Sequence, residues 1–332
     1  MVSGDNGAVA PLPQPAIRLL ALDIDGTLVG SDGMLRPRTV AAVEAAIAAG
    51  VRVALATGRM TSSALQFARQ LGIREPIIGL QGAAIREIPI GAGARWGRLL
   101  YHRPLDAATT REAVAWCRDV GLAAHLNHLE TMYFDQADER MDAWSRWLPS
   151  RVRIVPDVTA WARRPVSKVI AVGPPGLPAA VAEDARTLFA GRAQPVVSHP
   201  EFLEFVAPGV SKGRALRWLA RRTGIALAAT MAIGDQMNDL EMISEAGFGV
   251  AMPHAPAELL AAARMIAPPL AEEGVAQVIE AFVLGGPRLR AAGEDPGSHR
   301  EPGRAGRGRV GENGPAPDSG RSGDGPARKE DG

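Results

Sequence analysis

The residues with the clearest chemistry lie in LLALDIDGTL, residues 19–28, where an apolar run ends in Asp23 and Asp25, followed at once by Gly26 and Thr27. An apolar strand of this kind is buried. A buried, unpaired carboxylate costs several kcal/mol unless a cation or hydrogen bonds offset it. Three further clusters carry polar groups at comparable places. Thr57-Gly58-Arg59 closes the run VALA, Ser211-Lys212-Gly213 opens a helical pattern, and GDQMND, Gly234 to Asp239, closes MAI. Each alone has an ordinary reading: DG is a turn, and TGR, SKG or an aspartate caps a helix. In an open parallel sheet, however, ligands bind outside the carboxyl ends of the strands. All four clusters fall there, which gathers Asp23, Asp25, Asp235 and Asp239 around one cleft with Lys212.

The elements that must position these residues alternate. Strands are expected at 18–24, 51–57 and 76–80, with helices at 37–49 and 61–71 between them. This βαβαβ order predicts a parallel sheet covered by helices. The same style returns late, with helices at 211–223, 238–246, 256–263 and 274–284, strands at 230–235 and 248–252, and RMIA as a last strand. The middle differs. A helix at 107–120 precedes the short strands AAHLNH and TMYFD, and a helix at 178–190 precedes PVVSH and FLEFV. Two αββ units with short connections favour antiparallel pairing. The chain is therefore expected to be an α/β protein: a Rossmann-like parallel-sheet core of residues 16–84 and 201–285, interrupted by an inserted α+β domain over 85–200. Residues 1–15 read as a loose arm. Residues 286–332 are rich in Gly, Pro and charge, carry only Leu289 and Val310 as large aliphatics, and are expected to stay disordered.

Composition narrows the partners. Thirty-seven Lys and Arg balance 36 Asp and Glu in 332 residues, which gives no basis for nucleic-acid or membrane-surface binding. The stretch GRAGRGRVG is interspersed with acids and reads as solvated tail. The single cysteine, Cys117, lies in a helical pattern as a small core residue and excludes an internal disulfide framework. The first fifteen residues lack the basic and apolar regions of a signal peptide, so a cytoplasmic location is expected. No obligatory protein partner is indicated.

Other candidates are weaker. His125 and His128 in HLNH fall on opposite faces of a strand, which argues against a zinc site. Trp144 and Trp147 in WSRWLP have the spacing of helix packing. Glu204 and Phe205 lead toward the Lys212 helix and border the cleft or pair structurally. No Gly-rich loop of Walker or dinucleotide type is present.

DIDGTL, TGR, SKG and GDQMNDLEM, in this order, resemble the haloacid dehalogenase-like hydrolase superfamily over residues 17–284. GVAM, EEGVAQVIEAF and the inserted αββ units resemble its Cof-type phosphatases with a C2B-type cap. The resemblance implies a phosphatase of small phosphorylated metabolites, sugar phosphates foremost, with Asp23 as the nucleophile that forms an aspartyl-phosphate and Asp25 as the general acid and base. It implies Mg²⁺ on the Asp23 side chain, the Asp25 main-chain carbonyl and the Asp235 side chain, with Asp239 behind, in keeping with the all-oxygen ligation this ion prefers. Lys212 would hold Asp23 and the phosphate together. Thr57, Gly58 and Asn238 would bind phosphate oxygens, while Arg59 would reach toward cap and substrate or lie in a salt bridge. Gln81-Gly82-Ala83 stands where the subfamily usually has Asn-Gly-Ala, so Gln81 carries the same amide on a longer arm toward the substrate. A phosphotransferase or phosphomutase of the same superfamily, and a non-catalytic binding protein on this fold, are the alternatives.

Overall fold

The computed structural model describes residues 16–90, 96–134 and 151–286. The readings of residues 1–15, of WSRWLP and of the tail from 287 onward lie outside the described residues. The first stretch of chain forms β1 (Leu19–Leu22), α1 (Pro37–Ala48), β2 (Arg52–Leu55), α2 (Thr61–Gln70), β3 (Ile77–Gly79), β4 (Ala84–Arg86) and β5 (Leu99–His102). There follow α3 (Ala107–Asp119), β6 (Ala123–His128), β7 (Thr131–Phe134), β8 (Val152–Ile154), α4 (Val158–Trp161), β9 (Lys168–Val172), α5 (Leu177–Ala180), α6 (Ala182–Leu188), β10 (Gln194–His199) and β11 (Phe202–Val206). The chain then returns through α7 (Lys212–Thr223), β12 (Thr230–Gly234), α8 (Leu240–Glu245), β13 (Phe248–Ala251), α9 (Ala257–Ala262), β14 (Met265–Ile266) and α10 (Gly274–Phe282).

Five strands make one parallel sheet in the order β14-β13-β12-β1-β2. The interior strand β1 is covered on both faces, which is why its sequence is an unbroken apolar run rather than an alternation. Its ladder with β12 continues one residue further, the Asp23 amide donating to the Ile233 carbonyl at 3.0 Å, and this sets Asp23 beside the end of the strand that leads into Asp235. Helix α1 starts at Pro37, whose missing N–H costs nothing at that position, and buries Thr39, Ala42, Val43 and Ala46 at helical spacing. Helix α7 is capped by Ser211, whose Oγ accepts from the Arg214 amide at 3.0 Å, so Lys212 is its first residue.

A second sheet of six strands runs β10-β11-β9-β6-β7-β8, antiparallel except for β7 with β8. Its strands alternate. Leu126, Val169, Ala171, Leu203 and Phe205 pack against α3 and α6, together with Val114, Cys117 and Phe189. Phe205 anchors this layer, with ring centroids 5.1 Å from Phe189 and 5.6 Å from Trp116. Burial pushes the Cys117 thiol up to about 12, as expected of a packing residue rather than a nucleophile.

Several elements depart from the sequence expectation. The strand β9 was not expected, yet it lies between β11 and β6 near the middle of the six-stranded sheet. The helix expected at 178–190 is split at Val181 into α5 and α6. The six-stranded sheet extends past residue 200 to include β11. A small antiparallel sheet β3-β4-β5 carries the chain between the two larger layers. Where the layers meet, Glu130, in the turn between β6 and β7, accepts from the Thr61 hydroxyl and, at 2.9 Å, from the Ser62 amide at the start of α2. Arg86 Nε lies 3.2 Å from the same carboxylate. Among the described residues, no helix is long and apolar enough to cross a membrane.

Candidate active site

The carboxyl ends of β1, β2 and β12 and the first turn of α7 meet at a cavity of about 420 Å³, roofed by the open face of the six-stranded sheet. At its floor, Lys212 Nζ donates to Asp23 Oδ1 at 2.6 Å and to Asp239 Oδ1 at 2.7 Å. All three side chains are buried. The other Asp239 oxygen accepts from the amides of Asp235 at 3.0 Å and Gln236 at 3.1 Å, which ties the loop after β12 to the ammonium. Burial opposes the Lys212 charge, but Asp23 and Asp239 outweigh it and hold the ammonium protonated. Burial raises the Asp23 carboxyl well above the ordinary range. Lys212 opposes that rise, while the charges of Asp239, Asp235 and Asp25 add to it. Asp239 is raised chiefly by the same desolvation.

Asp235 stands across from this pair. Its Oδ1 accepts from the Thr27 hydroxyl at 3.1 Å, and its Oδ2 lies 3.1 Å from Gln236 Nε2 and 3.3 Å from His254 Nε2. The hydrogen bond to Asp235 raises the His254 pKa. Close approach explains Gly26. It has φ +80°, and a Cβ there would lie 2.2 Å from Asp235 Oδ2.

Asp23, Asp235 and Asp239 each offer an oxygen within 4.8 Å of the others. Three carboxylates against one ammonium leave a surplus of buried negative charge, and a hard divalent cation suits an all-oxygen set of this kind. Asp239 is engaged at both oxygens by Lys212 and two amides, whereas Lys212 engages Asp23 through Oδ1, which leaves Asp23 the better placed of these two to donate directly.

Asp25 is bound differently. Arg59 grips it with two hydrogen bonds, Nε to Oδ2 at 2.7 Å and Nη2 to Oδ1 at 2.5 Å. The guanidinium is buried and lies over the Phe67 ring at 5.1 Å. Arg59 is thus a buried clamp on Asp25 rather than a surface salt bridge. Thr57 Oγ1 accepts from the Arg59 amide at 3.1 Å and shapes the loop, while Gly58 brings its backbone close to Gln81, whose Nε2 would lie 2.5 Å from a Cβ there.

Gln81 links the two sheets across the site. Its side chain lines the cavity but is committed within the protein, donating to Glu204 Oε2 at 3.2 Å and accepting from Asn238 Nδ2 at 2.9 Å. Glu204 is in turn held by Lys168 Nζ at 2.6 Å and Ser198 Oγ at 2.7 Å, and Lys168 also donates to the Gly58 carbonyl at 2.9 Å. The structure therefore brings all the expected residues to one cavity wall or floor, with Asp239 and Lys212 beneath it. Sequence reasoning gave Thr27 no role of its own and overlooked His254, Lys168 and Asn127. Thr27 and His254 follow strand ends and carried a positional signal; Lys168 and Asn127 sit inside strands and carried none.

The chain is similar to known hydrolases and phosphatases. The haloacid dehalogenase-like hydrolase family matches residues 20–279. An HMP-PP phosphatase of Serratia proteamaculans is 30% identical over 244 residues, 72% of this chain and 84% of that protein. A phosphoglycolate phosphatase of Methanoculleus marisnigri is 28% identical over 260 residues, covering 78% of this chain and 92% of that protein. The crystal structure of a haloacid dehalogenase-like hydrolase from Bacteroides thetaiotaomicron superposes with a TM-score of 0.68 at 26% identity, over 80% of this chain and 99% of that one. The chain belongs to the haloacid dehalogenase-like hydrolase family, as a phosphatase of the Cof type, with a parallel-sheet core and an inserted α+β cap.

Proposed function

We propose that the protein hydrolyses phosphate monoesters of small metabolites, sugar phosphates foremost, through an aspartyl-phosphate on Asp23, with Mg²⁺ as cofactor. One observation carries this reading: Asp23 and Lys212 form a buried ion pair of 2.6 Å at a strand end, beside Asp235 and beneath a cavity of about 420 Å³.

Lys212 holds the attacking carboxylate in one orientation and keeps a fixed positive charge under the phosphoryl group. An Asp23 oxygen attacks phosphorus as the ester oxygen leaves, and Asp25 gives that oxygen its proton. Asp25 then takes a proton from water as the water oxygen attacks phosphorus, which releases phosphate and restores Asp23. The Arg59 clamp positions Asp25 beside the cavity, and an incoming phosphate dianion competes for the guanidinium, freeing Asp25 to carry a proton. The Thr57 hydroxyl, the Gly58 amide and Asn238 bind the phosphate oxygens. When bound, Mg²⁺ held by Asp23, Asp235 and the Asp25 main-chain carbonyl neutralises charge on the phosphoryl oxygens. The test is turnover of an aryl phosphate with and without Mg²⁺, followed by a panel of phosphorylated metabolites. Mg²⁺-dependent phosphate release supports the reading; none with any ester refutes it.

A further inference from the structure

The cap carries a polar pair that the chemistry at Asp23 does not use. Asn127 on β6 and Lys168 on β9 are direct cross-strand partners, so both side chains leave the same face of the cap sheet. That face lines the cavity. The opposite face, with Leu126 and Val169, is the one that packs against helices. Asn127 is only 1% exposed, and no group among the described residues donates to its Oδ1. A buried amide oxygen left without a donor is costly, and each such atom calls for an explanation. Lys168 is buried beside it, and the Gly58 carbonyl and Glu204 take two of its three ammonium hydrogens.

An orphan acceptor next to a spare donor defines its ligand. A carboxylate would accept from Lys168 but face the Asn127 oxygen with like partial charge. An aryl or alkyl group satisfies neither. An alcohol hydroxyl donates to one and accepts from the other.

Building on the phosphatase reading, we propose that Asn127 and Lys168 form a subsite for a hydroxyl of the leaving alcohol, selecting polyhydroxylated phosphate esters over carboxylated or unfunctionalised ones. Met132, the other cross-strand neighbour of Asn127, closes the side of this subsite away from Lys168 and keeps bulk water from competing for it.

The test compares glucose 6-phosphate with its monodeoxy analogues, phosphoglycolate and p-nitrophenyl phosphate, on the wild-type chain and on Asn127→Leu. In the wild type, one deoxy position is expected to cost on the order of 10- to 100-fold in kcat/KM. In Asn127→Leu, the parent and that analogue should differ by less than about threefold, since the group that reads the hydroxyl is gone. Equal rates for every deoxy analogue in the wild type, or an undiminished ratio in Asn127→Leu, would overturn the subsite. Should Asn127→Leu not fold, Asn127→Ser, too short to reach the hydroxyl, reads the same ratio. Hydrolysis of p-nitrophenyl phosphate reports on the phosphatase reading alone. If that hydrolysis is absent, the same parent and deoxy pair is compared by thermal shift. An equal shift from both rejects the subsite; a larger shift from the parent, lost in the variant, supports it.

Discussion

The floor and the roof of the cavity solve the burial of polar groups in opposite ways. On the floor, Lys212 ties Asp23 to Asp239, and Asp239 ties two amides of the loop that follows β12. Each of these groups is held by at least one other, and their surplus is negative charge. On the roof, Glu204 is held by Lys168, Gln81 and Ser198, yet two strands away the Asn127 oxygen has no donor among the described residues. On the proposed reading, the floor holds the reacting atoms in place. The roof is built around a group the protein does not supply. Chemistry common to many esters belongs to the first, and the choice among esters to the second.

Four perturbations test the contrast, in falling order of effect. Removing divalent cations with a chelator should lower turnover by at least about 100-fold, because the carboxylate surplus on the floor would repel a phosphate dianion. Mg²⁺ should restore it, and Ca²⁺, which favours more and often bidentate carboxylate ligands, should inhibit. Full activity in chelator would break the account of the floor. Next, Lys212→Met leaves Asp23 and Asp239 buried without their cation. Loss of one partner of a buried ion pair costs about 3–5 kcal/mol, read from urea unfolding, and Mg²⁺ should recover part of it. A variant as stable as the parent would mean the pair is not load-sharing.

Gln81→Asn addresses the link between the two regions. The shorter arm cannot span from Glu204 to Asn238, so one hydrogen bond is lost. The backbone at this position has φ +62°, however, which Asn tolerates better than Gln, and this offsets part of the loss. The expected net cost is about 1–2 kcal/mol, with a several-fold drop in turnover as Asn238 loosens. No change in either would detach Gln81 from the site. The smallest effect concerns acid stability near the cap. His102, hydrogen-bonded to Ser167 Oγ at 3.0 Å, has its pKa lowered from 6.5 to about 4, chiefly by burial and further by His128 and Arg86. The folded state then binds fewer protons than the unfolded state between those values. Stability is full above pH 6.5 and declines as pH falls toward 4. His102→Gln should make that decline shallower in urea midpoints measured at pH 7 and pH 5; an unaltered slope would assign the decline to other groups.

The floor was legible in the sequence because parallel strands expose their carboxyl ends in short contiguous motifs. Asp23 and Asp25 follow one strand, Asp235 and Asp239 follow another, and Lys212 opens a helix, so spacing along the chain stands in for spacing in the fold. The roof was not. Apart from Glu204, which leads toward the Lys212 helix, its residues Asn127 and Lys168 come from two strands whose pairing is set by register, and a register cannot be read from one strand alone. Strand β9 itself was missed, since SKVIAV between a Pro-rich loop and PPG offers a short apolar run with no partner nearby in sequence. Arg59 was placed in the right motif, but which way its long side chain turns depends on Asp25 and Phe67, which no local pattern fixes.

The division of labour between Asp23 and Asp25 is the central claim, and intact-protein mass after acid quench tests it most directly. Each variant, Asp23→Asn and Asp25→Asn, is mixed with an aryl phosphate and Mg²⁺. An activated leaving group needs little protonation, so Asp25→Asn should still be phosphorylated on Asp23 and keep the adduct, because hydrolysis lacks its base; general acid–base groups contribute about 10²–10⁴-fold. Asp23→Asn should show no adduct. A phosphate adduct on Asp23→Asn, or wild-type turnover in either variant, would contradict the assignment.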